Sequence, residues 1–185
     1  MAKSNRSGQA AVLTPVMLQQ LWDELDQPYR LATQICYFTA ARCGEVVSLE
    51  RSDLHPERII YQARKTKTKT TREAPVTPQL AEALNAVTLP TQGFIFPSGS
   101  RTGHITVRAV DKHLRRAAEL IGVGGVSTHS FRRSQATHLH QAGVPLRAIQ
   151  RITGHATLAA LERYLDVGSA EAYQSQVAVM AQLFT

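Results

Sequence analysis

Acidic residues are missing where this chain is most basic. Between Leu120 and Leu161 there is no Asp or Glu, yet Arg132, Arg133, Arg147 and Arg151 fall there. An ordinary solvated face mixes both signs. The whole chain carries 21 Lys and Arg against 14 Asp and Glu, a net charge of +7 over 185 residues. Such an excess calls for a polyanionic partner, nucleic acid ahead of an acidic membrane surface. Cysteine is scarce too: only Cys36 and Cys43, within one helical stretch and its exit. That excludes a disulfide framework and gives too few neighbours for a metal site, so idle thiols in a reducing compartment are expected. No apolar run approaches the ~20 residues of a membrane span. The first ten residues are too polar for a secretory signal. With 43% apolar residues, the chain has enough for a real core.

Periodicity and punctuation give the order of elements. Residues 1–13 read as a short flexible lead. Thr14-Pro15 supplies an N-cap and a first-turn proline for a helix to about Asp26. Pro28 opens a second helix reaching Ala41, and residues 45–49 make a short third. Residues 59–61 and 73–76 read as an antiparallel hairpin, with Lys65, Lys67 and Lys69 in its polar tip. Residues 94–96 read as a third strand. Further helices are expected over 77–87, 106–121, 128–142, 145–152, 157–165 and 169–183. There is no internal repeat. The fold class is mostly α, of the α+β type, with a small three-stranded antiparallel sheet.

The chemistry concentrates in two clusters near the C-terminal end. Thr128-His129-Ser130-Phe131-Arg132 is one. The other runs from Gly154-His155 to Tyr164. A phenol among imidazoles and guanidiniums suits covalent attack on a phosphodiester. The phenol is a usable nucleophile and leaving group when cations surround it, and fixed cationic donors neutralise a five-coordinate phosphorus. Singly, each residue has a bland reading. Arg42 and Glu45 are an ordinary i, i+3 pair, Arg132 a solvated helix arginine, His129 and His155 turn residues, and Tyr164 a core aromatic. The pair His138 and His140 lacks an adjacent carboxylate for metal binding.

The order and spacing change that reading. Ala41-Arg42-Cys43-Gly44-Glu45, a Lys-rich hairpin, His129-x-x-Arg132, Gly154-His155 and Tyr164 together resemble the catalytic domain of the tyrosine recombinase (phage integrase-like) family, over about residues 14–180. The resemblance implies roles. Tyr164 would attack the scissile phosphate, forming a 3′-phosphotyrosyl link and releasing a 5′-hydroxyl, without ATP, metal or other cofactor. Arg42 and Arg132 would clamp the non-bridging oxygens bidentately. His129 and His155 would donate to the phosphate and assist proton transfer. Glu45 would orient Arg42 or His129. A hairpin lysine would protonate the leaving oxygen; counting back from Pro75 gives Lys67, with Lys65 and Lys69 as alternatives. Further DNA contacts are expected from Lys65, Lys69, Arg72, Arg108, Lys112, Arg133, Arg147 and Arg151, with Arg101, Arg115 and Arg116 as additional candidates.

Three departures stand out. Similar proteins often carry Thr-Gly before the first arginine, where this chain has Ala40-Ala41. The residue after the second arginine is often His, and here it is Arg133. Phe131 replaces a commoner Leu. The resemblance also implies double-stranded DNA as partner, a homotetramer on paired sites through the C-terminal helix, and a cytoplasmic setting at the nucleoid, encoded by a prokaryote or mobile element. Residues 14–185 would form the catalytic domain with no N-terminal core-binding domain, whether as a short recombinase or as a catalytic fragment. A type IB topoisomerase, or a DNA-binding relative without the reaction, would share much of this pattern.

Overall fold

The structure, a computed structural model, describes residues 9–63, 70–162, 164, 165 and 181. Its elements are α1 (Pro15–Asp23), α2 (Tyr29–Phe38), α3 (Cys43–Val47), a 3-10 turn (Arg51–Asp53), β1 (Arg58–Tyr61), β2 (Arg72–Pro75), α4 (Pro78–Asn85), α5 (Val107–Leu120), α6 (Thr128–Gln141), α7 (Leu146–Thr153) and α8 (Leu158–Glu162). Hydroxyl caps set several starts. Thr14 accepts from Met17 N at 3.2 Å, Thr106 from Ala109 N at 3.1 Å, and Ser127 from His129 N at 3.3 Å. Each satisfies an amide left orphaned in a first helical turn.

Helix α2 is the spine. It buries Leu31, Ala32, Ile35 and Cys36 and packs against α1, α3, α4, α5 and α6. These helices share one core with Ile59 and Tyr61 of β1 and with Ile95 and Phe96. Both thiols are free and buried in that core. A second, smaller cluster joins Ala136, Ile149, Leu161 and Leu165 from α6, α7 and the chain around α8.

Among the described residues the sheet has two strands rather than three, antiparallel, with Ile59 opposite Ala74 and Tyr61 opposite Arg72. The 94–96 segment is buried but makes only an isolated bridge, Glu50 to Phe94, with Ile95 N donating to Leu49 O at 2.9 Å. Its partner chain turns at once into the 3-10 turn, and Gly93 (φ 72°) and Pro97 bound the segment, so no ladder extends. Residues 10–13, expected in a flexible lead, are fastened instead. Ala11 N donates to Gly125 O at 3.0 Å, and Leu13, fully buried, donates its N–H to Ser134 Oγ at 2.7 Å. The final helix expected over 169–183 lies outside the described residues, as do Lys65, Lys67 and Lys69. No described helix is long and apolar enough to cross a membrane.

Candidate active site

Five segments converge on one cluster of side chains. Arg42 is the N-cap of α3, with an extended backbone. Glu45, one turn on, accepts from Arg42 N at 3.0 Å and from its Nη1 at 2.8 Å. The same buried carboxylate stands 3.8 Å from Arg72 Nη2. One acidic group thus fixes two guanidiniums, and its own backbone contact ties the pair to the helix start.

Arg132 comes from the first turns of α6 and is only 2% exposed. Its Nη1 donates to Ala40 O at 2.6 Å and its Nη2 lies 3.5 Å from His155 Nε2. Burial, then the charge of Arg42, pushes this guanidinium down to about 10, which leaves it charged at neutral pH. Ala40 presents its carbonyl from a left-handed backbone, φ 49°. A glycine would hold that conformation without strain; here an alanine methyl accepts it. Among the described residues, Glu45 is the one carboxylate placed against this group: it pairs with Arg42 and stands near Arg72, while Arg132 turns to Ala40 O and His155. Three guanidiniums beside one described carboxylate suit an anion.

His129 sits in the first turn of α6, one turn before Arg132. Its Nδ1 lies 3.2 Å from the Tyr164 hydroxyl. Desolvation, then Arg132 and Arg42, holds the imidazole below its ordinary value, so it is neutral and able to accept a proton. His155 follows Gly154, whose left-handed φ of 66° ends α7. Its ring centroid is 5.0 Å from that of Tyr164. Burial, then Arg132 and Arg42, brings His155 down to about 4.

Tyr164 lies in the turn just after α8, not within that helix as its spacing suggested. Leu161 and Leu165, buried in the second cluster, pin the chain on either side. Burial raises the phenol, while Arg132, Arg42 and Arg133 pull the other way. The hydroxyl therefore keeps its proton at rest and is poised to lose it when a basic acceptor and the cations act together.

The structure thus gathers Arg42, Glu45, His129, Arg132, His155 and Tyr164, drawn from across 123 positions of sequence. Two sequence expectations change. Arg133, expected on DNA, is 6% exposed. Its Nε donates to Tyr164 O at 3.0 Å and its Nη1 to Ala10 O, so the guanidinium is an internal tether. Arg72, also expected on DNA, points inward. Its Nη1 donates to Thr39 O at 3.0 Å and Ile152 O at 3.1 Å, and its guanidinium lies 4.5 Å above the Tyr61 ring. Partners 33 and 80 residues distant leave no local signal of such a position. Arg101, Arg108, Lys112, Arg115, Arg116, Arg147 and Arg151 are exposed, with Arg115 paired to Asp111 and Arg147 bonded to Gln150. A cleft of about 370 Å³, lined by Arg42, Gly44, Glu45, Val107, Thr128 and His129 among others, opens beside the site. His138, weighed as half of a metal pair, instead meets the Tyr37 hydroxyl at 2.8 Å.

Residues 11–171 match the phage integrase family. A putative integrase/recombinase of Sinorhizobium fredii is 31% identical over 164 residues, covering 85% of this chain and 53% of its own length. The tyrosine recombinase XerC of Rhodospirillum centenum is 35% identical over 146 residues, covering 72% and 40%. The chain spans about half the length of the curated relatives it matches. Among solved structures, the catalytic domain of bacteriophage HP1 integrase superposes with a TM-score of 0.64 at 26% identity, covering 84% of this chain and 87% of that one. The Tn1549 transposon integrase, in complex with a circular intermediate DNA, reaches 0.74 at 17% identity, covering 95% and 67%, a likeness of fold. The chain belongs to the phage integrase family of tyrosine recombinases.

Proposed function

We propose that this chain cleaves and rejoins DNA strands site-specifically through a 3′-phosphotyrosyl intermediate. The observation that carries this reading is the Tyr164 hydroxyl, 3.2 Å from a neutral imidazole and beside a cluster of guanidiniums with too little countercharge. The phosphate supplies the missing negative charge. Arg42 and Arg132 bind its non-bridging oxygens, and both gain as charge grows in the five-coordinate transition state, roughly 3–4 kcal/mol for a well-aimed donor.

The phenol oxygen bonds to phosphorus as its proton passes to His129 Nδ1. The bond from phosphorus to the 5′-oxygen breaks, and a lysine of the 65–69 run, with Lys67 at the family spacing, protonates that oxygen. One phosphodiester has been exchanged for another, so a second 5′-hydroxyl can reverse the step without an energy source. The exposed residues Arg108, Lys112, Arg147 and Arg151 contact phosphates and set affinity rather than sequence. Relatives support a partner DNA duplex: the XerH recombinase, matched at a TM-score of 0.70, is bound to its palindromic difH substrate after cleavage. Assembly as a tetramer through the C-terminal segment, and a nucleoid setting in a prokaryotic or mobile-element host, belong to the same proposal.

The test is capture of DNA. The chain is incubated with a genomic library, denatured, and its covalently linked DNA sequenced. Wild-type protein is expected to retain a defined site. Tyr164→Phe should bind the same DNA in a gel shift but retain none after denaturation. Linked DNA in the Phe variant would remove Tyr164 as the nucleophile.

A further inference from the structure

The ring of His155 is held by two contacts whose direction chemistry fixes. Thr153, fully buried at the end of α7, has one hydroxyl proton. It donates to Ile149 O at 2.7 Å, with Gln150 O at 3.3 Å as a longer second acceptor. The same oxygen lies 2.7 Å from His155 Nδ1. With its proton turned to the helix carbonyls, Thr153 Oγ1 accepts, so the hydrogen resides on Nδ1. Across the ring, Arg132 Nη2 stands 3.5 Å from Nε2. A guanidinium only donates, so Nε2 presents its lone pair. Both contacts demand one tautomer. The other would set N–H against N–H at Arg132 and leave Nδ1 beside a hydroxyl already committed elsewhere.

We propose that Thr153 is a positioning residue, whose hydroxyl locks His155 as the Nδ1–H tautomer and aims a bare Nε2 at Arg132 and the reaction site. The inference rests on the recombinase reading above and deepens it. A hydrogen on Nδ1 leaves one place for an incoming proton, Nε2. Protonation there keeps the bond to Thr153 intact. It turns the inward edge from acceptor to donor without rotation of the ring. With the phosphate seated between His155 and Arg132 and accepting from both, a proton taken from solvent at Nε2 would make His155 an imidazolium in place, rather than a neutral donor from the outset. A second anchor holds the backbone: Gln150 Nε2 donates to His155 O at 3.0 Å, and His155 N to Gln150 O at 3.2 Å.

The experiment reads the tautomer directly. Long-range proton–nitrogen correlation spectra of the ¹⁵N-labelled chain without DNA should show His155 protonated at Nδ1 and bare at Nε2. Thr153→Val, nearly the same shape, should mix the tautomers and slow covalent-adduct formation about tenfold, the lower end of what a metal-bound histidine loses with its orienting partner, at unchanged DNA affinity. Thr153→Ser should restore both readouts. A wild-type spectrum protonated at Nε2, or a Val variant with unaltered tautomer and rate, overturns the proposal. Should the Val variant unfold, the wild-type and Ser spectra still decide it. Failure of the wild type to form any adduct would instead overturn the recombinase reading, leaving the tautomer result in force.

Discussion

Ala40 holds a conformation that L-residues avoid, at φ 49°, with its side chain buried and its carbonyl turned to Arg132. The left-handed region costs an L-residue on the order of 1–2 kcal/mol. The strain persists because the carbonyl must face a buried guanidinium. Ala40→Gly should therefore raise stability by about 0.5–1 kcal/mol, the relief being partly offset by glycine's freer unfolded chain and the lost methyl. Urea unfolding at pH 7 measures it, and a lowered midpoint would refute the strain. Glu45 shows a related economy of placement. One buried carboxylate orients Arg42 by two contacts and stands near Arg72, so it settles the geometry of two cations while neutralising only one charge.

At the scale of elements, α6 carries most of the site. Its first turns present His129 and Arg132, and Arg133 reaches to the opposite side. There the guanidinium holds the carbonyls of Tyr164 and Ala10, tying the turn after α8 to the N-terminal strand of chain across the same helix. Arg133→Met keeps much of the side-chain volume but leaves both carbonyls without this donor. The expected loss is about 2 kcal/mol, the range for hydrogen bonds to a charged group. Adduct formation should fall with it, since Tyr164 loses its backbone anchor while its neighbours stay in place. Thermal unfolding and the adduct yield check the two halves; full stability and full yield would show that the tether does nothing. The hairpin is anchored in a similar way, through Arg72 at the foot of β2 bonded to Thr39 and Ile152 carbonyls.

At the scale of the whole molecule, charge and protonation set the response to solution conditions. His129, His138 and His155 all lie below the ordinary imidazole value, His155 at about 4. The unfolded chain then binds more protons than the folded one between about pH 6.5 and 4, so stability rises with pH through that window and is lost on acidification. Urea midpoints measured from pH 7 down to 4.5 should fall, and His155→Gln should flatten the decline; parallel curves would exclude His155 as a source. Salt reports the other surface. DNA affinity should drop steeply as salt rises, with a log–log slope of about −0.9 per phosphate neutralised. Removing Arg108 and Lys112 together should make that slope shallower by nearly two; an unchanged slope would place α5 away from the backbone.

Much of this protein was legible before any fold. Helix starts followed from local hydroxyl caps and prolines, because capping acts within three residues. The identity and order of Arg42, His129, Arg132, His155 and Tyr164, which the fold brings together, also stood in the sequence, because residue type and spacing are written there. The spacing set Tyr164 inside a helix, yet Tyr164 lies in a turn after Glu162, where its N–H closes back on Leu161 O at 2.7 Å, three residues behind rather than four. The third strand failed as well: its partner was decided by where Leu49 and Glu50 turn, far from residues 94–96. The inward course of Arg72, the tether of Arg133 and the hydroxyl that holds His155 share that origin. Residue type is written in the chain, but the direction of a long side chain is settled by which distant carbonyls and carboxylates packing brings within its reach.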